Sequence, residues 1–143
     1  MATALAYEGA RGCETLDVSY GYRGDQMERV ERLVQVRAPD LRGWSFDIVS
    51  IHRHTGDVRF IEVKGRGTAG PVELIEKEFK TGRALMYDYW LYVVYDCNTT
   101  PSLTAIQNPM SLDWTPKPGG GYQLTSEAVR VAGAATPPRL PLE

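Results

Sequence analysis

Two acidic residues and one lysine, Asp47, Glu62 and Lys64, lie in the short segment between Gly43 and Gly65. Carboxylate oxygens are the ligands that hard divalent cations prefer. A positive charge beside them stabilises the negative charge that develops on a phosphate during its transfer. The three side chains therefore predict a metal-dependent nuclease site, provided that the fold brings them to one place.

Their relative positions depend on a predicted β-hairpin. Thr55 and Gly56 separate two runs rich in β-branched and aromatic residues, which predicts a loop tip at these two positions. With this tip, Asp47 lies opposite Lys64. Opposed residues point to the same face and side chains alternate along a strand, so Asp47, Glu62 and Lys64 share one face. A slip of one residue would move the aspartate to the other face, and the hypothesis thus depends on the register.

Two other interpretations of this segment stay open. Glu62 and Lys64 would also suit a solvated ion pair at a strand end, without any chemistry. Both faces of the hairpin carry apolar residues, however, which predicts a buried position where an unpaired charge is costly. His52 and His54 are two residues apart on a strand and could bind Zn²⁺, but no cysteine or third histidine lies near them in the sequence.

The segment 52–83 is the only part of the chain with an excess of basic residues. It holds seven Lys or Arg and five Asp or Glu, in a chain whose net charge is −2. Arg66 lies in the glycine-rich loop after the Glu-Val-Lys strand, and Lys77, Lys80 and Arg83 lie on one predicted helix. These four cations are candidate contacts to DNA phosphates, and an ordinary solvated surface is the alternative.

The elements around the hairpin predict an α/β protein with a mixed central sheet flanked by helices. Periodicity predicts helices over 2–11, from Asp25 to Pro39 and over 76–87, and strands over 15–20, 71–75 and 103–107. The apolar run 89–95 predicts a central buried strand. A last strand and short helix follow over 122–131. We predict one domain over 1–136 and a disordered tail over 137–143.

Composition excludes several classes of protein. No apolar run approaches the roughly 20 residues that span a bilayer, and the N-terminus lacks the features of a secretory signal. Cys13 and Cys97 match no metal or redox spacing, which favours free thiols. We therefore expect a cytoplasmic protein that does not bind membranes.

Two blocks of sequence resemble a known superfamily. Phe46-Asp47-Ile48 followed by Phe60-Ile61-Glu62-Val63-Lys64-Gly65 resembles the PD-(D/E)xK superfamily of restriction-endonuclease-like folds. More narrowly, the blocks at 6–8, 16–19, 61–66 and 89–94 resemble the NO VEIN-type C-terminal domain, which is found appended to helicases and in bacterial defence proteins. The resemblance covers most of 3–110, and relative to the usual pattern the segment 20–43 looks like an insertion.

The resemblance implies roles for individual residues. Asp47 and Glu62, with the carbonyl of Val63, would hold Mg²⁺, or Mn²⁺ in its place. Lys64 would orient the attacking water, and Glu8 matches a position where several such families keep an additional acidic residue. The implied function is Mg²⁺-dependent hydrolysis of DNA in a helicase-linked or defence system. The alternative is a catalytically inactive module that binds nucleic acid or protein beside a helicase or translocase.

Overall fold

A computed structural model describes residues 1–19, 25–67, 70–96 and 99–135 of the chain. The described residues form four α-helices and eight strands. In order, they are α1 Ala2–Ala10, β1 Cys13–Asp17, α2 Asp25–Arg37, β2 Ile48–His52, β3 Val58–Gly65, β4 Val72–Leu74, α3 Glu76–Leu85, β5 Tyr89–Tyr95, β6 Ser102–Gln107, β7 Thr115–Pro116, β8 Tyr122–Leu124 and α4 Ser126–Ala135. The predicted tail over 137–143 lies outside the described residues.

A five-stranded sheet forms the centre of the molecule, with strand order β1-β2-β3-β5-β6. The pair β3–β5 is parallel and the other pairs are antiparallel, so the sheet is mixed. A smaller sheet with the order β4-β8-β7 lies beside it. The α/β class with a mixed central sheet is confirmed, and the restriction-endonuclease-like assignment stays a prediction.

Both faces of the large sheet are covered, which explains why β5 is apolar along its whole length. On one face, β5 residues such as Tyr89 and Leu91 pack with residues of α2, α3 and α4. On the other face, Trp90 and Tyr92 pack with Ala4 of α1. Among the described helices, none has the length and apolar character that crossing a bilayer requires.

Helix α2 belongs to the core of the domain. Val30 and Val34 are buried on the face of the sheet that also holds Phe60. The spacing of the two valines puts them on one side of the helix, as expected for a helix that packs by one face. Residues 20–24 lie outside the described part, and the interpretation of 20–43 as an insertion within the family stays a prediction.

The hairpin β2–β3 forms, but its register differs by two residues from the predicted one. The backbone N–H of His52 donates to the carbonyl of Asp57 at 2.9 Å, so four residues rather than two make the loop. The observed pairing ends at Ile48 opposite Ile61, and the N–H of Asp47, just before β2, donates to the carbonyl of the same Ile61, so Asp47 does not lie opposite Lys64. Because the shift is by an even number, the side chains within the two paired strands keep the faces that were predicted for them.

Side-chain hydrogen bonds in the turn explain the longer loop. His52 Nδ1 accepts from the backbone N–H groups of His54 and Thr55, both at 3.2 Å. Gly56 takes a φ of +77° and its N–H donates to the carbonyl of His52. The His52 ring nitrogen is thus used to hold the turn, and the two imidazoles lie 5.9 Å apart between ring centres. The turn explains the position of His52, and the zinc alternative for the two histidines stays untested.

Two smaller points concern the ends of elements. Ile75 is 58% exposed because it precedes α3 rather than lying on its buried face. Strand β1 begins at Cys13 and ends at Asp17, earlier than the predicted span. Cys13 is a buried free thiol, and Cys97 lies outside the described residues.

The connection from β7 to β8 offers a matched pair of glycines. Gly119 and Gly121 have φ values of +90° and +80°, but a Cβ at Gly121 would lie 2.7 Å from the Leu74 carbonyl oxygen, whereas a Cβ at Gly119 would meet nothing within 4 Å. Gly119→Ala is expected to cost only the left-handed conformation, about 1–2 kcal/mol. Gly121→Ala is expected to cost clearly more, as measured by urea unfolding. Equal losses would mean that the close approach is relieved without cost.

Candidate metal and phosphodiester site

The candidate site lies on the face of the large sheet that α2 and α3 cover. Glu62 and Lys64 alternate with Val63 on β3, so both point to this face beside Phe60. Asp47 directly precedes β2, where its N–H donates to the carbonyl of Ile61 at 2.8 Å. Its Oδ2 accepts the Val63 N–H at 2.7 Å, and this bond fixes the aspartate against β3. The structure therefore brings Asp47, Glu62 and Lys64 together.

A fourth charged residue, Glu78 of α3, completes the group and was missed in the sequence analysis. Lys64 Nζ lies 3.4 Å from Glu62 Oε2, and 3.0 and 3.2 Å from the two carboxylate oxygens of Glu78. Glu78 Oε1 also accepts the backbone N–H of Ile75 at 2.9 Å, which satisfies a free donor at the start of α3. A glutamate at the third position of a predicted helix is the signal that could have pointed to it.

Burial and crowding of carboxylates govern the electrostatics of the site. Glu62 is 3% exposed. Burial raises the pKa of its carboxyl to about 10, the nearby charges of Glu78 and Asp47 add to this, and the Lys64 ammonium opposes it. Within the described residues, Glu62 Oε1 is buried without a hydrogen-bond partner. In the metal-free protein at neutral pH, the Glu62 carboxyl is therefore protonated.

Lys64 and Tyr89 respond to the same carboxylates. Burial lowers the pKa of the Lys64 ammonium, but the charges and hydrogen bonds of Glu62 and Glu78 outweigh it, so the pKa lies above its ordinary value. Burial first, and then the charges of Glu62, Glu78 and Asp47, raise the pKa of the Tyr89 hydroxyl well above its ordinary value. The Tyr89 hydroxyl therefore stays neutral beside the charged group.

The residues of this group suit a hard divalent cation in their chemistry. They offer three carboxylates, and one buried oxygen of Glu62 lacks a partner. A cation would offset the burial and the repulsion from neighbouring carboxylates that together raise the pKa of Glu62. Within the ranges that the structure covers, however, no three Asp, Glu, His or Cys side chains already form a metal-binding group. Lys64 Nζ lies within 3.4 Å of Glu62 and 3.0 Å of Glu78, so its ammonium closes the arrangement.

Glu8 lies away from this group, on the opposite face of the sheet. It is fully buried on α1, where its carboxylate accepts hydrogen bonds from Ser50 at 2.7 Å and Tyr92 at 2.6 Å. Ser50 and Tyr92 point to the face opposite that of Glu62, because strand side chains alternate. The structure does not bring Glu8 to the candidate site.

The four cations predicted to contact DNA occupy two places. Arg66 follows β3 and donates through Nε to the carbonyl of Pro71 at 2.7 Å and through Nη1 to that of Gly65 at 2.8 Å. Lys77, Lys80 and Arg83 are exposed on α3, the helix that carries Glu78. They share an element with the candidate site, and their role in DNA binding stays a prediction.

A comparison with known families matches the part of the chain that holds the candidate site to one family. The family model described as "Protein NO VEIN, C-terminal" matches residues 16–106, which is more than half of the chain. The chain belongs to this family. The part matched to the NO VEIN C-terminal family contains Asp47, Glu62, Lys64 and Glu78, and begins after Glu8. A comparison with curated proteins gave no match.

Proposed function

We propose that this NO VEIN C-terminal domain is a Mg²⁺-dependent nuclease that hydrolyses phosphodiester bonds of DNA. The observation that carries the proposal is the convergence of Asp47, Glu62 and Lys64 on one buried face, beside Glu78. Burying so much charge is costly unless it is paired or binds an ion. The unpartnered Oε1 of Glu62 and the raised pKa of its carboxyl support a group arranged to receive a cation.

The roles of the residues follow from their chemistry. Asp47 and Glu62, with the carbonyl of Val63, would hold Mg²⁺, or Mn²⁺ in its place. When bound, such an ion activates water and polarises a phosphoryl oxygen. Lys64 carries a positive charge that would orient the water and stabilise charge on the phosphate. Glu78 fixes Lys64 through both of its carboxylate oxygens.

Cleavage of plasmid DNA tests the proposal. We expect cleavage with Mg²⁺ and none with EDTA, and we expect Asp47→Ala and Lys64→Ala each to abolish it. Asp113→Ala, which removes an exposed carboxylate outside the group, is the matched control and should cleave as the original protein does. If both site variants retained full Mg²⁺-dependent cleavage, the proposal would be wrong.

The ion pairs of Lys64 favour one second candidate, a catalytically inactive module that binds DNA beside a helicase or translocase. In this alternative, the Lys64 ammonium stays beside Glu62 and Glu78 and keeps a cation out. The domain then only positions the helicase or translocase on DNA. Titration with Mg²⁺ or Mn²⁺ separates the two. Salt-sensitive DNA binding without any effect of metal would favour the binding module. Under either proposal, we place the protein in the cytoplasm.

A further inference from the structure

A second cleft, of about 600 Å³, lies at the other end of the sheet from the candidate site. Val58 and Arg59 at the start of β3 and Trp90 at the start of β5 line it, whereas Glu62 and Lys64 lie further along β3. It is about twice the volume of either of the two other clefts described, at about 300 and 320 Å³. Its size falls in the range of small-molecule sites, about 300–1,000 Å³.

Three arginines from three different elements line this cleft. Arg11 follows α1, Arg37 ends α2, and Arg59 lies on β3. Two aspartates, Asp57 and Asp88, also line it, and the buried Glu8 carboxylate beside Arg11 and Arg59 balances the third positive charge. Guanidinium groups are the side chains that best match the geometry of a phosphate, because each presents a planar fork of N–H donors.

A buried carboxylate holds two of the three guanidinium groups in place. Glu8 Oε1 accepts from Arg11 Nη1 at 2.6 Å, and Glu8 Oε2 lies 4.0 Å from Arg59 Nη1. Arg59 Nη1 also donates to the Tyr92 hydroxyl at 2.6 Å. Each arginine side chain is only 12% exposed, while Glu8 is fully buried. Two guanidinium groups thus share one carboxylate, and their positions are set before any ligand arrives.

Arg59 keeps donors for a ligand. Its guanidinium carbon lies 3.5 Å from the centre of the Trp90 ring, a stacked contact that fixes the plane of the group. In the part of the chain that the structure describes, its hydrogen bonds use Nη1 alone. Arg59 lines the cleft, so the N–H groups on its Nε and Nη2 remain available to a ligand there.

We propose that this cleft binds a phosphate group, carried by a nucleotide or by a nucleic-acid strand, through Arg37 and Arg59. In the free protein Arg37 Nε lies 3.5 Å from Asp88 Oδ2, a pair that is 25% and 44% exposed. The Asp88 carboxylate thus occupies the anion position beside Arg37 in the free protein. When the ligand binds, its phosphate replaces this carboxylate beside Arg37. Tyr87, exposed at the same cleft, offers a ring on which a base stacks.

Binding in EDTA tests this proposal without involving the metal site. The probes are ADP, inorganic phosphate and a fluorescent DNA oligonucleotide, each titrated by calorimetry or anisotropy. We expect saturable binding of a phosphate-bearing probe and a loss of about tenfold in Arg37→Gln, since a charged hydrogen bond is removed. Asp88→Asn should bind more tightly, because it removes the competing carboxylate. A variant that fails to fold cannot mimic that gain.

Arg130→Gln is the matched control, because it removes a guanidinium paired with Glu127 on the exposed side of α4. If ADP affinity depends on Arg37 and Asp88, the cleft takes a free nucleotide. If only DNA affinity depends on them, the cleft takes a backbone phosphate. The proposal is overturned if no probe saturates, or if Arg37→Gln and Asp88→Asn bind as Arg130→Gln does.

Discussion

Glu62→Gln is expected to abolish Mg²⁺-dependent DNA cleavage while leaving the metal-free fold intact. Burial and neighbouring carboxylates raise the pKa of Glu62 to about 10, so its metal-free form is protonated at neutral pH. Glutamine has nearly the same shape and is also neutral, but it cannot supply the carboxylate that a cation requires. We expect activity to fall by more than about a hundredfold, because loss of an outer-shell partner alone costs about 10- to 100-fold.

Thermal unfolding separates this explanation from simple misfolding. In EDTA, the melting temperature of Glu62→Gln should be equal to or above that of the original protein. With Mg²⁺, only the original protein should gain stability, since a bound ion stabilises the folded state by mass action. If Glu62→Gln kept its cleavage activity, Glu62 would not be part of the site. If Glu62→Gln unfolded in EDTA, the protonated state of Glu62 in the metal-free protein would be contradicted.

The pH dependence of stability follows from the same carboxyl. Its folded-state pKa is raised above the ordinary 4.5, so the unfolded chain loses this proton first as the pH rises. The metal-free protein should therefore lose stability between about pH 4.5 and about pH 10, by at most about 1.4 kcal/mol per pH unit from this group. Glu62→Gln should lack that contribution. Urea unfolding of both proteins in EDTA at several pH values measures the difference.

Glu8→Ala is expected to produce the largest loss of stability. The carboxylate is fully buried and bonded to Arg11, Ser50 and Tyr92. Its removal leaves buried guanidinium and hydroxyl groups without their acceptor. Breaking a buried ion pair in this way costs about 3–5 kcal/mol. In a domain of this size, such a loss lowers the melting temperature by about 10 °C or more.

Glu14→Ala is the matched control for this prediction. Glu14 also pairs with an arginine, Arg29, through two hydrogen bonds of 2.9 Å, but both side chains are substantially exposed. An exposed pair is worth about 0–1 kcal/mol. Equal losses in the two variants would contradict the role of burial. Well below its melting temperature, Glu8→Ala should still cleave DNA. If it lost cleavage while it stayed folded, Glu8 would have to be counted among the catalytic residues.

The sharing of a face by Asp47, Glu62 and Lys64 was predictable although the hairpin register was not. Alternation along a strand depends only on whether a shift is odd or even, so an error of two residues left Glu62 and Lys64 on the predicted face. Asp47, which precedes β2, is brought beside them by the bond that its Oδ2 accepts from the Val63 N–H. The loop length was harder to predict, because it depends on the hydrogen bonds that His52 Nδ1 makes within the turn. Propensity alone favoured the shorter loop with Gly56 at its tip.

Glu78 and Glu8 illustrate what local patterns do not contain. Glu78 reaches Lys64 only because α3 packs against β5, the strand beside β3, a tertiary arrangement that periodicity does not encode. Glu8 is acidic and close to the family-like blocks, but no pattern states which face of the sheet α1 covers. The long apolar strand β5 was predictable, because burial on both faces leaves a continuous hydrophobic run.

Anomalous scattering from crystals soaked in Mn²⁺ tests the central claim most directly. We predict a peak within coordination distance of the carboxylates of both Asp47 and Glu62, accompanied by movement of Lys64 away from Glu62. The same soak of Glu62→Gln crystals should show no peak there. A well-occupied Mn²⁺ elsewhere, with Lys64 still bound between Glu62 and Glu78 in the original protein, would contradict the account.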